Sequence, residues 1–251
     1  PPELRNLSSS FVKNMVGPVG WENVVKADLP DSVYPKFVEK YKRMEKIKRL
    51  KERWFRLCHQ LGARGDIEGV FDEVIARYSE SHRYYHGLDH ILDCLEKFDQ
   101  VRHFAHRPLA LEMAIWMHDI VYDAKPYANN EDRSAELSDR LLTKLHLDSI
   151  FIFEVRERIM PTKHTYVPFN RDDCLIVDID LASLALPPEQ FDEMSEKIRL
   201  EYNAPIEIYR LKRAEFFRDF MKGRQYIYLT EYFRTRYEAQ AQENLQRAMA
   251  I

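Results

Sequence analysis

The chain has 251 residues, 45% of them hydrophobic and 31% charged, and its 38 Lys and Arg nearly cancel its 41 Asp and Glu, leaving a net charge of -3. That length can bury a sizeable core, as one large domain or two small ones, and the near-neutral balance argues against a nucleic-acid footprint, which needs positive excess concentrated on one face. No apolar run reaches membrane-spanning length, Phe11 to Trp21 makes a poor signal peptide, and Cys58, Cys94 and Cys174 are too far apart for a disulfide framework, so buried thiols and a cytoplasmic protein are expected.

Residues 1–33 carry Pro1, Pro2, Gly17, Pro18, Gly20 and Pro30 with no sustained period, and are expected to form an irregular N-terminal extension. From Phe37 the apolar positions Phe37, Tyr41, Met44, Ile47, Leu50, Trp54, Leu57 and Leu61 recur at threes and fours, which predicts a long amphipathic helix ended by Gly62. Its basic residues from Lys40 to Arg53 are interleaved with Glu39, Glu45 and Glu52, so they read as a solvated face. Asp66 can cap a second helix through Tyr78, and Ser79 to Tyr85 reads as a polar connection.

Leu88, Ile91, Leu92, Leu95, Phe98 and Val101 mark the next helix, with His90 beside its apolar stripe. Pro108 opens a helix that is apolar nearly all round and ends at His118-Asp119, as a central helix should be. Ile120 to Asn129 is then expected to be a loop, with Asn130 capping the following helix. Further helices are predicted over Ile150 to Met160, from about Asp172, from Pro187-Pro188, from Pro205, and from Glu231 to Met249, with Tyr226 to Leu229 briefly extended. The sum is an all-α fold of roughly ten helices, with residues 34–251 as one domain and residues 82–185 as its functional core.

Within that core His90, then His118-Asp119, then one carboxylate of Asp178-Ile179-Asp180 form an ordered group that can hold a divalent cation. Imidazole and carboxylate together suit Mn, Fe, Co, Ni or Zn, and three or four protein ligands leave positions open for water. Asp119, at the end of so apolar a helix, also needs a compensating cation or donor. Two residues apart on a helix, Asp178 and Asp180 face different ways, so one of them at most reaches the cation. His86 lies one turn before His90 on the same face, open to a catalytic, substrate-binding, ligating or structural role.

This order of residues resembles the HD superfamily of metal-dependent phosphohydrolases. Arg83-Tyr84-Tyr85-His86 with His90, the string His118-Asp119-Ile120-Val121-Tyr122-Asp123, Asn130-Glu131 with Ser134-Ala135-Glu136-Leu137, and Asp178-Ile179-Asp180-Leu181 are similar to an uncharacterised branch of that superfamily. The likeness runs from about Leu50 to the C-terminus.

The resemblance implies an HD-like helical bundle with His90, His118, Asp119 and Asp180 as ligands of one transition-metal ion. It implies hydrolysis of a phosphate ester or anhydride of a small, nucleotide-like substrate by metal-activated water. Asp123, four residues after Asp119, takes the place where related nucleotide hydrolases keep an acidic residue, and is expected as general acid or base together with His86. Cations are needed for phosphate oxygens, and Arg83, Lys125 and Lys163 stand beside the motifs, with Glu131 and His164 as further substrate contacts.

Two alternatives follow from the same residues. A diiron oxygenase of this fold would need both His146 and His164 as additional ligands. A non-catalytic helical scaffold would keep the metal as a sealed structural site.

Overall fold

The computed structural model describes residue 26 and residues 32–125 and 128–250. Apart from residues 26, 32 and 33, the expected N-terminal extension lies outside the described residues, as do Pro126 and Tyr127 of the loop after His118-Asp119. Among the described residues the chain is all-α, with ten α-helices, three short 3-10 turns and no strand. It divides into two compact units, Pro1–Leu50 and Lys51–Ile251, the boundary falling inside the first long helix.

That helix, α1, spans Tyr34–Gln60 and ends, as the sequence predicts, at Gly62, which takes a left-handed φ of 67° while its N–H reaches the His59 carbonyl. The second unit continues with α2 (Ile67–Tyr78), α3 (Leu88–Val101), α4 (Pro108–Met117), α5 (Asn130–Lys144) and α6 (Ser149–Ile159). It closes with α7 (Arg171–Asp180), α8 (Pro188–Tyr202), α9 (Ile206–Met221) and α10 (Glu231–Met249). Among the described residues no helix is long and apolar enough to cross a membrane.

Helix α4 is the centre of this unit. Every residue from Ala110 to Met117 is buried, and Trp116 meets Trp54 edge to face at 5.3 Å between ring centroids. The single charge on that helix, Glu112, is only 4% exposed and is held by Arg53 and Arg102. A lone buried carboxylate would be expensive, so the two guanidinium groups are a condition of placing it there. The start of α4 is fixed by the buried Asp172 of α7, whose carboxylate accepts the His106 and Arg107 N–H groups at 2.8 and 2.9 Å.

Several ends differ from expectation for local reasons. Asn130 is the first residue of α5 rather than its cap, because its side-chain amide is engaged by the Asp123 backbone, N–H and carbonyl both at 3.0 Å. Tyr226 to Leu229 is not extended in a strand. It is a bent connection whose N–H groups at 227 and 228 go to Glu238, and at 229 to Asp178.

Candidate metal centre

The end of α4 is built to present His118 and Asp119. A helix leaves its last carbonyls without partners, and here Tyr78 donates its hydroxyl to the Trp116 carbonyl while Arg83 donates to those of Asp119 and Ile120. The His118 Nδ1–H donates to the Ile115 carbonyl at 2.8 Å, which makes Nε2 the ring atom turned away from the helix. His90 reaches the same point from α3, and Asp180 from the last position of α7.

The four side chains meet closely. His90 Nε2 lies 3.2 Å from His118 Nε2, 3.4 Å from Asp119 Oδ2 and 3.3 Å from Asp180 Oδ1. His118 Nε2 lies 3.3 Å from Asp119 Oδ2 and 3.5 Å from Asp180 Oδ1. The histidines are buried, whereas the carboxylates are partly exposed on one side. Cys94, one turn after His90, brings its sulfur within 3.8 Å of His90 Nδ1 and 3.7 Å of Nε2. His90, Cys94, His118 and Asp180 thus form a buried group able to hold one metal ion.

The electrostatics ask for positive charge at that point. Burial opposes charge on His90, but the Cys94 and Tyr85 side chains beside it, with hydrogen bonds to Asp119 and Asp180, hold it well above the ordinary histidine value. Burial acts the same way on His118, and the Asp119 charge with hydrogen bonds to Asp119 and Asp180 overcomes it. Asp119 and Asp180, which burial would raise, are instead held well below the usual carboxylate range by the imidazoles around them. Two carboxylates packed this tightly require cationic compensation, whether from protonated imidazoles or a metal.

Asp178 faces elsewhere. It accepts the N–H groups of Leu229 and Thr230 and the Thr230 hydroxyl at 2.6 to 2.8 Å, securing the start of α10.

A cleft of about 230 Å³ opens on the two carboxylates, lined among others by His86, Asp119, Glu131, His164 and Asp180. His86 Nδ1 donates to Glu201 at 2.7 Å, and its ring stacks on Tyr122 at 4.1 Å between centroids. Glu201, from the last turn of α8, also accepts the Tyr85 and His86 N–H groups and the Tyr122 hydroxyl. Its carboxylate is fully buried; burial would raise it, but the bonds from His86 and the backbone hold it below the usual value. In the neutral ring, Nδ1 as donor leaves His86 Nε2 as the acceptor. His164, in a left-handed conformation after the 3-10 turn Met160–Lys163, places Nε2 3.1 Å from Asp180 Oδ2. Burial pushes the Glu131 carboxyl up, with the Asp119 charge acting in the same direction.

Other expected site residues stand apart from this cleft. Arg83, expected to contact substrate, is instead a buried clamp. Its guanidinium is spent on the carbonyls of His86, Asp119 and Ile120 and on Glu80. Asp123 and Lys125 do not line the cleft; they face a neighbouring cavity and pair with each other at 3.4 Å, the turn being pinned by the Asn130 amide. Lys163 is turned to Asp132 at 2.6 Å. Ser134 bridges the Val121 N–H and carbonyl and so shapes the loop. His146 is exposed at the end of α5 and does not reach the cleft.

The sequence gives no local sign of Glu201, which lies more than 110 positions from the backbone it holds. Phe216, Phe217 and Phe220 of α9 form one wall of the cleft, the last two buried and Phe216 half-exposed.

No protein-family profile and no solved structure matches the chain. A stretch of 41 residues, 16% of the chain, is 44% identical to a phosphopantetheine adenylyltransferase of Chromobacterium violaceum. The match spans a quarter of that protein's length.

Proposed function

We propose that this chain is an HD-type metal-dependent phosphohydrolase whose cation is held by His90, His118, Asp119 and Asp180. The observation that carries this reading is the spacing of the four donor atoms. Five of the six separations between them lie between 3.2 and 3.5 Å. The centre of a tetrahedron with such edges is about 2 Å from each corner, the length of a bond from a transition metal to nitrogen or oxygen.

Cys94 fits that centre poorly. Its sulfur is almost equidistant from both nitrogens of His90 and so lies near the plane that bisects them. A cation about 2 Å out along the Nε2 lone pair stands roughly 3 Å off that plane, beyond a zinc–sulfur bond of about 2.3 Å. Asp119 is therefore preferred as the fourth ligand, and Mn, Fe, Co, Ni or Zn as the ion, one per chain.

When bound, such an ion supplies Lewis acidity to a phosphoryl oxygen and lowers the pKa of coordinated water. The chain's own residues supply the rest. His86, oriented by Glu201, presents a proton acceptor to the cleft, the arrangement that fixes the tautomer of a general base. Glu131 is the carboxyl that lines the cleft besides the two proposed ligands, and it replaces Asp123 as the acidic candidate. His164, hydrogen-bonded to Asp180, restrains that carboxylate and faces the same space.

A small phosphorylated, nucleotide-like substrate fits the chemistry of the cleft. The short likeness to an adenylyltransferase agrees with such a substrate but spans too little of either chain to carry the reading. The oxygenase alternative requires His146, which stands away from the site.

The test is turnover of a phosphoester and nucleotide library by protein loaded with Mn, Co or Ni. Asp119→Ala should lose both the metal and the turnover. Undiminished turnover in that variant, or none by the wild type on any phosphoester, would reject the proposal.

A further inference from the structure

The cleft over the two carboxylates is small for a whole substrate. At about 230 Å³ it falls below the roughly 300–1,000 Å³ of typical small-molecule sites. A second cavity of about 1230 Å³ adjoins it. The two share the side chains Tyr122, Tyr202, Arg213 and Phe216. The reacting group can therefore sit in the first while the bulk of the molecule extends past these four into the second.

Among the four, Arg213 is the charged one, and its state is unusual. Most cations lining the larger cavity have an acid beside them: Arg77 pairs with Glu80, Lys125 with Asp123, and Lys212 with Glu215. Arg213 has no carboxylate partner among the described residues, and its Nε is buried without any hydrogen-bond partner. Its guanidinium rests 4.5 Å from the centroid of Phe217 and 6.0 Å from that of Phe216. The ring faces support the half-buried guanidinium and orient the plane of the fork. They satisfy none of its N–H donors. A planar fork of free donors, held rigid where two cavities join, matches the oxyanions of a phosphate or carboxylate.

We propose that Arg213 binds a second anionic group of the substrate, so that the substrate class is a phosphoester or anhydride carrying at least one further phosphate or carboxylate beyond the one at the cation. This rests on the phosphohydrolase reading above, and it adds a binding residue to it. Arg213 is a positioning residue, since nothing places it on the reacting atoms.

The experiment is calorimetric titration of the full chain with α,β-methylene-ADP, both loaded with Mn and after treatment with EDTA. Arg213→Gln is expected to weaken binding about tenfold or more in both states, and Arg213→Lys to weaken it less, because a point charge replaces part of the fork. Asp119→Ala should lose the Mn-dependent gain while keeping the dependence on Arg213. Affinity unchanged in folded Arg213→Gln, as judged by circular dichroism, overturns the proposal, as does a wild type that binds the analogue in neither state. Either result leaves the hydrolase reading to the separate turnover test of Asp119→Ala.

Discussion

Replacing Glu201 exposes how the cleft is held open. The carboxylate is fully buried and receives four donors: the Tyr85 N–H at 2.7 Å, the His86 N–H at 2.8 Å, His86 Nδ1 at 2.7 Å and the Tyr122 hydroxyl at 3.0 Å. In Glu201→Ala all four lose their acceptor. A buried donor left unpaired costs about 1–3 kcal/mol, and water from the adjoining cavity can reach some of them, so a loss of roughly 3–5 kcal/mol is expected. Glu201→Gln keeps the volume and one acceptor oxygen, but its amide donates where the carboxylate accepted. His86 must then accept at Nδ1, which moves its proton to Nε2 and removes the acceptor facing the cleft.

The measurement is urea unfolding of both variants with 15N NMR of the His86 ring. Glu201→Ala should be the less stable by several kcal/mol, and Glu201→Gln should show the exchanged tautomer with a much smaller loss. The pH dependence has a definite sign. The folded Glu201 carboxyl lies below its ordinary 4.5, so its stabilisation is complete above the unfolded value and is lost as pH falls through the folded one. Wild type should therefore lose stability relative to Glu201→Gln on acidification below about pH 4.5. A loss under about 1 kcal/mol in Glu201→Ala, or an unchanged tautomer in Glu201→Gln, would refute this reasoning.

Other substitutions separate the framework from the chemistry. Asp178→Ala removes three hydrogen bonds at the start of α10 and should cost about 2–4 kcal/mol by chemical denaturation; metal content measured by mass spectrometry should be unchanged, and a lost ion would make Asp178 part of the site. Arg83→Met leaves the carbonyls of Asp119 and Ile120 without a donor, so thermal unfolding should drop by several degrees and metal affinity should fall with it; unchanged affinity would show that the α4 end needs no such clamp. Cys94→Ala should keep one ion per chain with near-native affinity, and loss of the ion would put sulfur among the ligands.

How much could be read in advance differs with the range of the forces involved. The ends of α1 and α2 were legible because Gly62 and Asp66 act on their own neighbours, and the burial of α4 followed from its having apolar side chains on every face. The ordered histidines and aspartates also stood out, because a carboxylate at the end of such a helix demands a partner. The separation of Asp178 from Asp180 followed from helix geometry alone.

The roles of Arg83, Asp123 and Glu201 were not legible. Each is decided by partners distant in sequence or by a turn whose shape comes from Asn130. A basic residue beside a motif looks the same in sequence whether its donors face a ligand or three carbonyl oxygens. The aromatic wall on α9 was hidden for a related reason, since the spacing does not tell the buried Phe217 and Phe220 from the exposed Phe216, and all three line the cleft.

X-ray absorption spectroscopy of the protein loaded with Zn or Co probes the proposed site most directly. The expected spectrum contains one ion per chain, a shell of nitrogen and oxygen at about 2.0–2.2 Å and the outer scattering of two imidazoles. A protein that retains no ion, a sulfur shell near 2.3 Å, or a second metal at about 3.5–4 Å would contradict the centre described for His90, His118, Asp119 and Asp180.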